Sequence, residues 1–191
     1  MTRLVLASAS PRRVSLLEQV GLSFEVVPSG VPEDPGDGTR EPADLARALA
    51  LRKAEAVAAR EPDALVLGAD TIVVLDGAVL GKPRDEAEAV RMLERLQGRS
   101  HVVITGVALV APGGRKRVEH EETTVWMRPL TRAQVEWYVR SGEPLDKAGA
   151  YAVQGLGALL VERIFGCYYN VVGLPLGRVA RLLEEFGLTV L

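Results

Sequence analysis

Apolar positions along the chain follow two periods, and the switches between them mark the elements. Arg3 to Ser8 is a short apolar run that reads as a strand. Ser10 is placed to cap a helix that has Pro11 at its first position and Gly21 as its stop. Phe24 to Val27 reads as a second strand, and residues 28–41, rich in Pro, Gly and Asp, as a loop. A helix is predicted from Pro42 to Arg60, with Leu45, Leu49 and Val57 along one face. Leu65 to Leu67 is a short buried strand. Thr71 to Leu75 and Ala78 to Leu80 flank Asp76-Gly77, a strong hairpin signal. Asp85 to Gln97 carries Ala89, Met92, Leu93 and Leu96 on one helical stripe. Two long strands, about 101–111 and 115–127, meet through Gly113-Gly114. Thr131 with Gln134 forms a capping box for a helix ending near Arg140. Residues 141–157 read as glycine-rich loop with at most one helical turn, Ala158 to Ile164 as a strand. Pro175 opens a last helix with Leu176, Val179, Ala180 and Leu183 facing inward.

Early alternation of helix and strand, followed by a long central hairpin, predicts an α/β fold. Its sheet is mixed and twisted, not purely parallel, with helices on its faces. There is no repeat, low-complexity segment or linker, so residues 1–191 read as one domain, or two lobes tightly fused around a cleft. A chain of this length buries roughly 70% of its unfolded surface and needs no disulfide or metal to fold.

Composition narrows the class. The net charge of −2, with no basic run, argues against a nucleic-acid-coating protein. No segment approaches the ~18 apolar residues that span a membrane. Leu4 to Ala7 is too short for a signal-peptide core, and the charge pair Arg12-Arg13 follows it. A lone cysteine, Cys167, excludes an intrachain disulfide and fits a reducing compartment. The expected location is the cytoplasm. Arginines number 19 against 4 lysines, which gives each retained lysine some weight as a site residue.

Several segments carry polar residues in places that invite chemistry. Arg12 and Arg13 stand in the first helical turn, where cations cost roughly 0.3–1 kcal/mol each. Either they are solvated, or Ser8, Arg12 and Arg13 grip an anion such as a polyphosphate at that turn. Asp70, just after Leu65–Leu67, reads as a lone carboxylate at a strand end. It is either an Asx-type turn residue or a group that ligates a divalent metal or takes a proton from water. Gly77 to Pro83 is one residue short of a P-loop and has Pro83 where Ser or Thr would hold magnesium, so Lys82 instead projects from a strand end. Lys53 lies a turn after Leu49 and a turn before Val57, pointing to the apolar side of its helix. It either snorkels or reaches into a site. Gln154, in a glycine-rich loop, has the donor and acceptor needed to read a base edge, or is solvated. Glu33 is a second acidic candidate. His101 and His120 fall in the long strands without partners at ligand spacing, so no zinc site is expected.

In order along the chain, these segments resemble the Maf (septum formation) family of nucleotide pyrophosphatases. The resemblance rests on Leu6-Ala7-Ser8-Ala9-Ser10-Pro11-Arg12-Arg13, Glu33, Lys53-Ala54, Ala69-Asp70-Thr71-Ile72-Val73 and Gly81-Lys82-Pro83. It continues through Asp146-Lys147-Ala148-Gly149, Tyr151-Ala152-Val153-Gln154-Gly155 and Asn170-Val171-Val172-Gly173-Leu174-Pro175. It implies an α/β fold similar to that of inosine triphosphate pyrophosphatases and often a homodimer. The implied activity is hydrolysis of nucleoside triphosphates between the α and β phosphates with a divalent metal, Mg²⁺ or Mn²⁺. By the same resemblance Asp70 matches the proton acceptor. Ser8, Arg12, Arg13, Lys53 and Lys82 match phosphate-handling positions, and Glu33 an acidic position near the metal. Arg12, Thr71 and Gln154 match positions that separate subfamilies, and the glutamine after Tyr-Ala-Val resembles the dTTP/UTP-preferring branch. Asp70 is left as general base or metal ligand. Two rivals stand: the same chemistry on 7-methyl-GTP or another modified nucleotide, and a nucleotide-binding regulator of septum formation.

Overall fold

The computed structural model describes residues 2–32 and 40–190. Seven strands form one mixed sheet in the order β2-β1-β3-β5-β6-β7, with β4 pairing on β3 off that path. They are β1 (Leu4–Leu6), β2 (Glu25–Val26), β3 (Leu65–Leu75), β4 (Ala78–Leu80), β5 (Ser100–Val110), β6 (Lys116–Met127) and β7 (Val161–Phe165). The helices are α1 (Pro11–Gln19), α2 (Pro42–Ala58), α3 (Glu86–Leu96), α4 (Arg132–Val139), α5 (Tyr168–Val172) and α6 (Leu176–Glu185). β2, β1 and the start of β3 run parallel, whereas β3, β5, β6 and β7 pair antiparallel. The expected mixed sheet with a long central hairpin is therefore present.

The pattern failed where tertiary pairing overrode local punctuation. Leu65–Leu67 and Thr71–Leu75 are one strand, because β5 pairs with β3 continuously from Val66↔Val110 to Val74↔Val102. Asp70 is thus not at a strand end but mid-strand, opposite Gly106. Ser10 occupies the position before α1, yet its side chain makes no cap bond; its N–H instead donates to Ser8 Oγ at 3.2 Å. Residues 141–157 hold two short 3-10 turns and the start of a third, Gly155–Leu159, which delays β7 to Val161. Helix α5 lacks amphipathic length and had no sequence signal. The Asp76-Gly77 turn is as expected, with φ of 52° and 78°.

One feature of the core positions everything else. Helix α2 crosses β3 and β5 at Gly68 and Gly106, where an added Cβ would overlap the Ala50 and Ala46 carbonyls respectively. Side chains alternate along a strand, so Gly68 and Asp70 share the face on which α2 lies. Two apolar clusters flank that point. One gathers Leu4, Leu17, Leu67 and Leu183 around the first half of β3. The other gathers Val73, Leu75, Leu93 and Tyr138 around its second half. Asp70 and Thr71 lie where β3 passes from one to the other.

Within the second cluster His101 Nε2 meets the Tyr151 hydroxyl at 2.6 Å, and burial pushes the imidazole down to about 4. The unfolded chain takes up this proton near pH 6.5, and the folded chain only near 4. Stability from this residue is thus full above pH 6.5 and falls by about 3 kcal/mol as pH drops toward 4. Urea unfolding should show the wild type losing about 2–3 kcal/mol more than His101→Gln between pH 7 and 4.5. Equal losses would mean that His101 is not held neutral. Gly106→Ala should destabilise by about 1–3 kcal/mol through overpacking. Gly177→Ala, in the open on α6, should be neutral or stabilising by about 0.5–1 kcal/mol. Thermal melts by circular dichroism check both signs.

Candidate active site

The sheet itself opens the site. On one edge, β3 pairs with β1 through Leu65–Leu67 and with β4 through Val73–Leu75. Residues 68–72 have no strand partner on that edge among the described residues. β1 ends at Leu6 and β4 at Leu80 on either side of this gap, and the chain beyond each carries polar residues: Ser8 and the start of α1 after one, Lys82 after the other. A cavity of about 660 Å³ occupies the opening, a size suited to a small-molecule ligand. Because Asp70 and Thr71 project to opposite faces of β3, both faces contribute to its lining.

On the α2 face, Lys53 Nζ donates to Asp70 Oδ1 at 2.6 Å, and each residue is only 5% exposed. Lys53 therefore does not snorkel; it reaches the site, because α2 approaches β3 closely over Gly68. Nor is Asp70 a lone carboxylate or an Asx turn. A buried ion pair gains little net stability, but removing one partner leaves an uncompensated charge that costs several kcal/mol. The pair lies at the lining of the cavity.

On the other face, Arg13 is buried and braces three elements. Its Nε donates to the Gly173 carbonyl at 2.8 Å, Nη1 to Ser8 Oγ at 3.2 Å and Nη2 to Thr71 Oγ1 at 3.0 Å. Arg12 Nε donates to the Val172 carbonyl at 3.3 Å. The two cations that sit badly at the start of α1 thus turn toward carbonyls at the end of α5, which offsets the mismatch. A guanidinium only donates, so Thr71 Oγ1 must accept from Arg13. Thr71 and Thr105 hydroxyls lie 2.8 Å apart, and Thr105 donates to the Asn170 carbonyl at 3.2 Å. The single Thr71 hydrogen goes either to Thr105, which passes the chain on to Asn170, or to the Gly173 carbonyl at 3.4 Å, so in both cases Thr71 has no donor left for a ligand. Asn170, fully buried, donates through Nδ2 to the Val103 carbonyl and Thr123 Oγ1 at 3.0 and 2.9 Å. It ties α5 to β5 and β6 and so sets the carbonyls that hold both arginines.

The far wall comes from the 3-10 turns. Gln154 is exposed at the cavity, and Lys82 is exposed beside it on the β4 side. The Tyr151 ring lines the cavity with its hydroxyl tied back to His101. Asp146 also lines it, accepting from Lys147 Nζ at 2.7 Å. Burial alone would raise the Asp146 carboxyl. The Lys147 hydrogen bond, with the charges of Lys147 and Arg12, outweighs that and holds it below the usual range.

Ser8, Arg12, Arg13, Lys53, Asp70, Thr71, Lys82 and Gln154 all line this one cavity. Glu33 lies outside the described residues. Sequence reasoning quoted Asn170 and Tyr151 only as motif positions without a role, and passed over Thr105 and Glu143. Asn170 carried a further signal, as the single asparagine of the chain; Thr105 and Glu143 had none. Among the described residues no group of three or more His, Cys, Asp or Glu is close enough to cage a metal. The carboxylates at the cavity, Asp70 and Asp146, do fit the demand of Mg²⁺, which takes one or two carboxylates and fills its shell with water and phosphate oxygens.

Residues 3–186 match the family model described as Maf-like protein. The chain is 58% identical over 187 residues to the dTTP/UTP pyrophosphatase of Symbiobacterium thermophilum, covering 98% of this chain and 95% of that one. It is 58% identical over 191 residues to the dTTP/UTP pyrophosphatase of Moorella thermoacetica, covering 100% and 98%. A HAM1 protein from Coxiella burnetii shares the fold, with a TM-score of 0.51 at 16% identity over 97% of this chain and 100% of that one. With a family match over residues 3–186 and these full-length relatives, the chain belongs to the Maf family.

Proposed function

We propose that the cavity binds a pyrimidine nucleoside triphosphate, dTTP or UTP, and hydrolyses it to the monophosphate and pyrophosphate. The observation that carries this reading is the buried Lys53–Asp70 pair at the cavity lining, faced by Arg12, Arg13 and Lys82. Full-length relatives named dTTP/UTP pyrophosphatase support the substrate class.

In this reading Arg12, Arg13, Lys53 and Lys82 offset the charge of the triphosphate and the charge that grows on the departing pyrophosphate. Asp70 orients a water and takes its proton as the water oxygen bonds to the α phosphorus and the bond from that phosphorus to the bridging oxygen breaks. Lys53 keeps Asp70 aimed through the 2.6 Å bond while lying within reach of phosphate oxygens. Asp70 and Glu33 would hold Mg²⁺ or Mn²⁺, which would supply charge neutralisation on the phosphates. Gln154, with a donor and an acceptor on one amide, complements the O4 and N3–H edge shared by thymine and uracil, and Thr71 adds an acceptor. We further propose that the enzyme works in the cytoplasm as a homodimer, in keeping with its family.

Pyrophosphate release from a panel of nucleoside triphosphates, with Mg²⁺ or Mn²⁺ present, tests this directly. Turnover should concentrate on dTTP and UTP, stop on chelation and return with added metal. Asp70→Asn should lower kcat by roughly 10²–10⁴-fold with KM little changed. Gln154→Ala should flatten the preference between UTP and CTP while leaving the reaction intact. An active Asp70→Asn removes the mechanism; turnover centred on 7-methyl-GTP removes the substrate. Folded, metal-replete protein that binds nucleotides without cleaving any would favour the regulatory alternative.

A further inference from the structure

Gln154 stands exposed in a stretch with no regular secondary structure before it, a poor foundation for reading a base edge. Discrimination by hydrogen bonds needs the reading amide held in place, since an error of about 1 Å can cost on the order of 100-fold. What holds it is a single carboxylate reaching in from the preceding turn, Glu143–Asp146. Glu143 Oε1 accepts from the Gly157 N–H at 2.9 Å and from the Tyr138 hydroxyl at 2.8 Å. Glu143 Oε2 accepts from the Leu156 N–H at 3.0 Å. The Tyr138 oxygen in turn accepts from the Ala152 N–H at 3.2 Å. The backbone is therefore pinned two residues before Gln154 and at two positions just after it, all to one Glu143–Tyr138 unit.

The glycines of this stretch fit that unit. Gly155 has φ of +62°, and a Cβ on it would stand 2.5 Å from Glu143 Oε2. A Cβ on Gly157 would stand 2.8 Å from the Tyr138 hydroxyl oxygen. Both are close approaches that only glycine permits. Tyr138 is fully buried, and burial together with the bond to Glu143 pushes its hydroxyl well up, so it remains a donor. Hydrogen bonds to an ionised acceptor are the strong kind, and three of them converge here.

We propose that Glu143 is a positioning residue for base specificity: by clamping the backbone on both sides of Gln154 it fixes the amide that selects uracil or thymine. The proposal rests on the pyrimidine reading of the cavity. Glu143 belongs to neither the phosphate-facing arginines nor the Lys53–Asp70 pair, so specificity and phosphate handling should separate.

The test compares kcat/KM for UTP and CTP in wild type, Glu143→Ala, Glu143→Gln, Gln154→Ala and the Glu143→Ala/Gln154→Ala double variant. Inhibition by inorganic pyrophosphate is measured alongside. Glu143→Ala should lower the UTP-to-CTP ratio by about tenfold and leave the pyrophosphate inhibition constant at its wild-type value. Glu143→Gln, which keeps the oxygen that accepts from Gly157, should fall between. In the double variant the ratio should stay where Gln154→Ala alone puts it. A selective wild type whose ratio survives Glu143→Ala overturns the proposal alone. So does an equal loss on both nucleotides, or ratios that multiply in the double variant. A wild type indifferent to the base overturns the pyrimidine reading and the proposal with it. If Glu143→Ala does not fold, the Glu143→Gln ratio decides: unchanged, it overturns the proposal.

Discussion

A buried lysine bonded to a buried aspartate, 2.6 Å apart on the lining of the cavity, is the contact around which this molecule is organised. Neither charge tolerates burial without the other. Bringing them together requires α2 to lie almost on the backbone of β3 and β5, and Gly68 and Gly106 are the residues that let it. The same approach buries Ala46, Ala50 and Ala54, so α2 presents its small residues to the sheet and delivers one long cation beyond them.

The second constraint is the split on the edge of β3. A strand paired along its full length on one side and only at its ends on the other leaves a stretch of backbone with both faces open to a ligand. That is why the adjacent residues Asp70 and Thr71 serve one cavity from opposite faces. Two networks then meet across it. One is ionic, from α2. The other is a directional hydrogen-bond chain from Arg13 through Thr71 and Thr105 to Asn170, which anchors α1 to the end of α5. In the proposed reading, specificity is built separately, from the turns that Glu143 and Tyr138 hold around Gln154.

Periodicity revealed most long elements, because α2, α3, β5 and β6 each carry many apolar positions with one phase. It misjudged β3, where Gly68-Ala69-Asp70 looks like a break, and only the pairing with β5 shows why glycine and aspartate sit mid-strand. It missed α5, whose five residues are held by Asn170 and not by an apolar stripe. The position of Lys53 on the inward face of α2 was legible, since helix geometry fixes it; its partner was not, since Asp70 lies 17 residues away on another element. Convergence of Ser8, Arg13, Lys82 and Gln154 on one cavity is a product of topology, which local pattern does not encode. The resemblance to a family supplied that convergence before the fold did.

The central claim is that Lys53 and Asp70 act as one unit, and a double-mutant cycle on kcat measures it. Lys53→Met, Asp70→Asn and the double variant are assayed with dTTP at saturating metal, each confirmed folded by circular dichroism. If the pair is the reacting unit, the double variant should be about as slow as the slower single variant, because residues that act together lose their function together. Losses that multiply in the double variant would show two independent contributions and contradict the account.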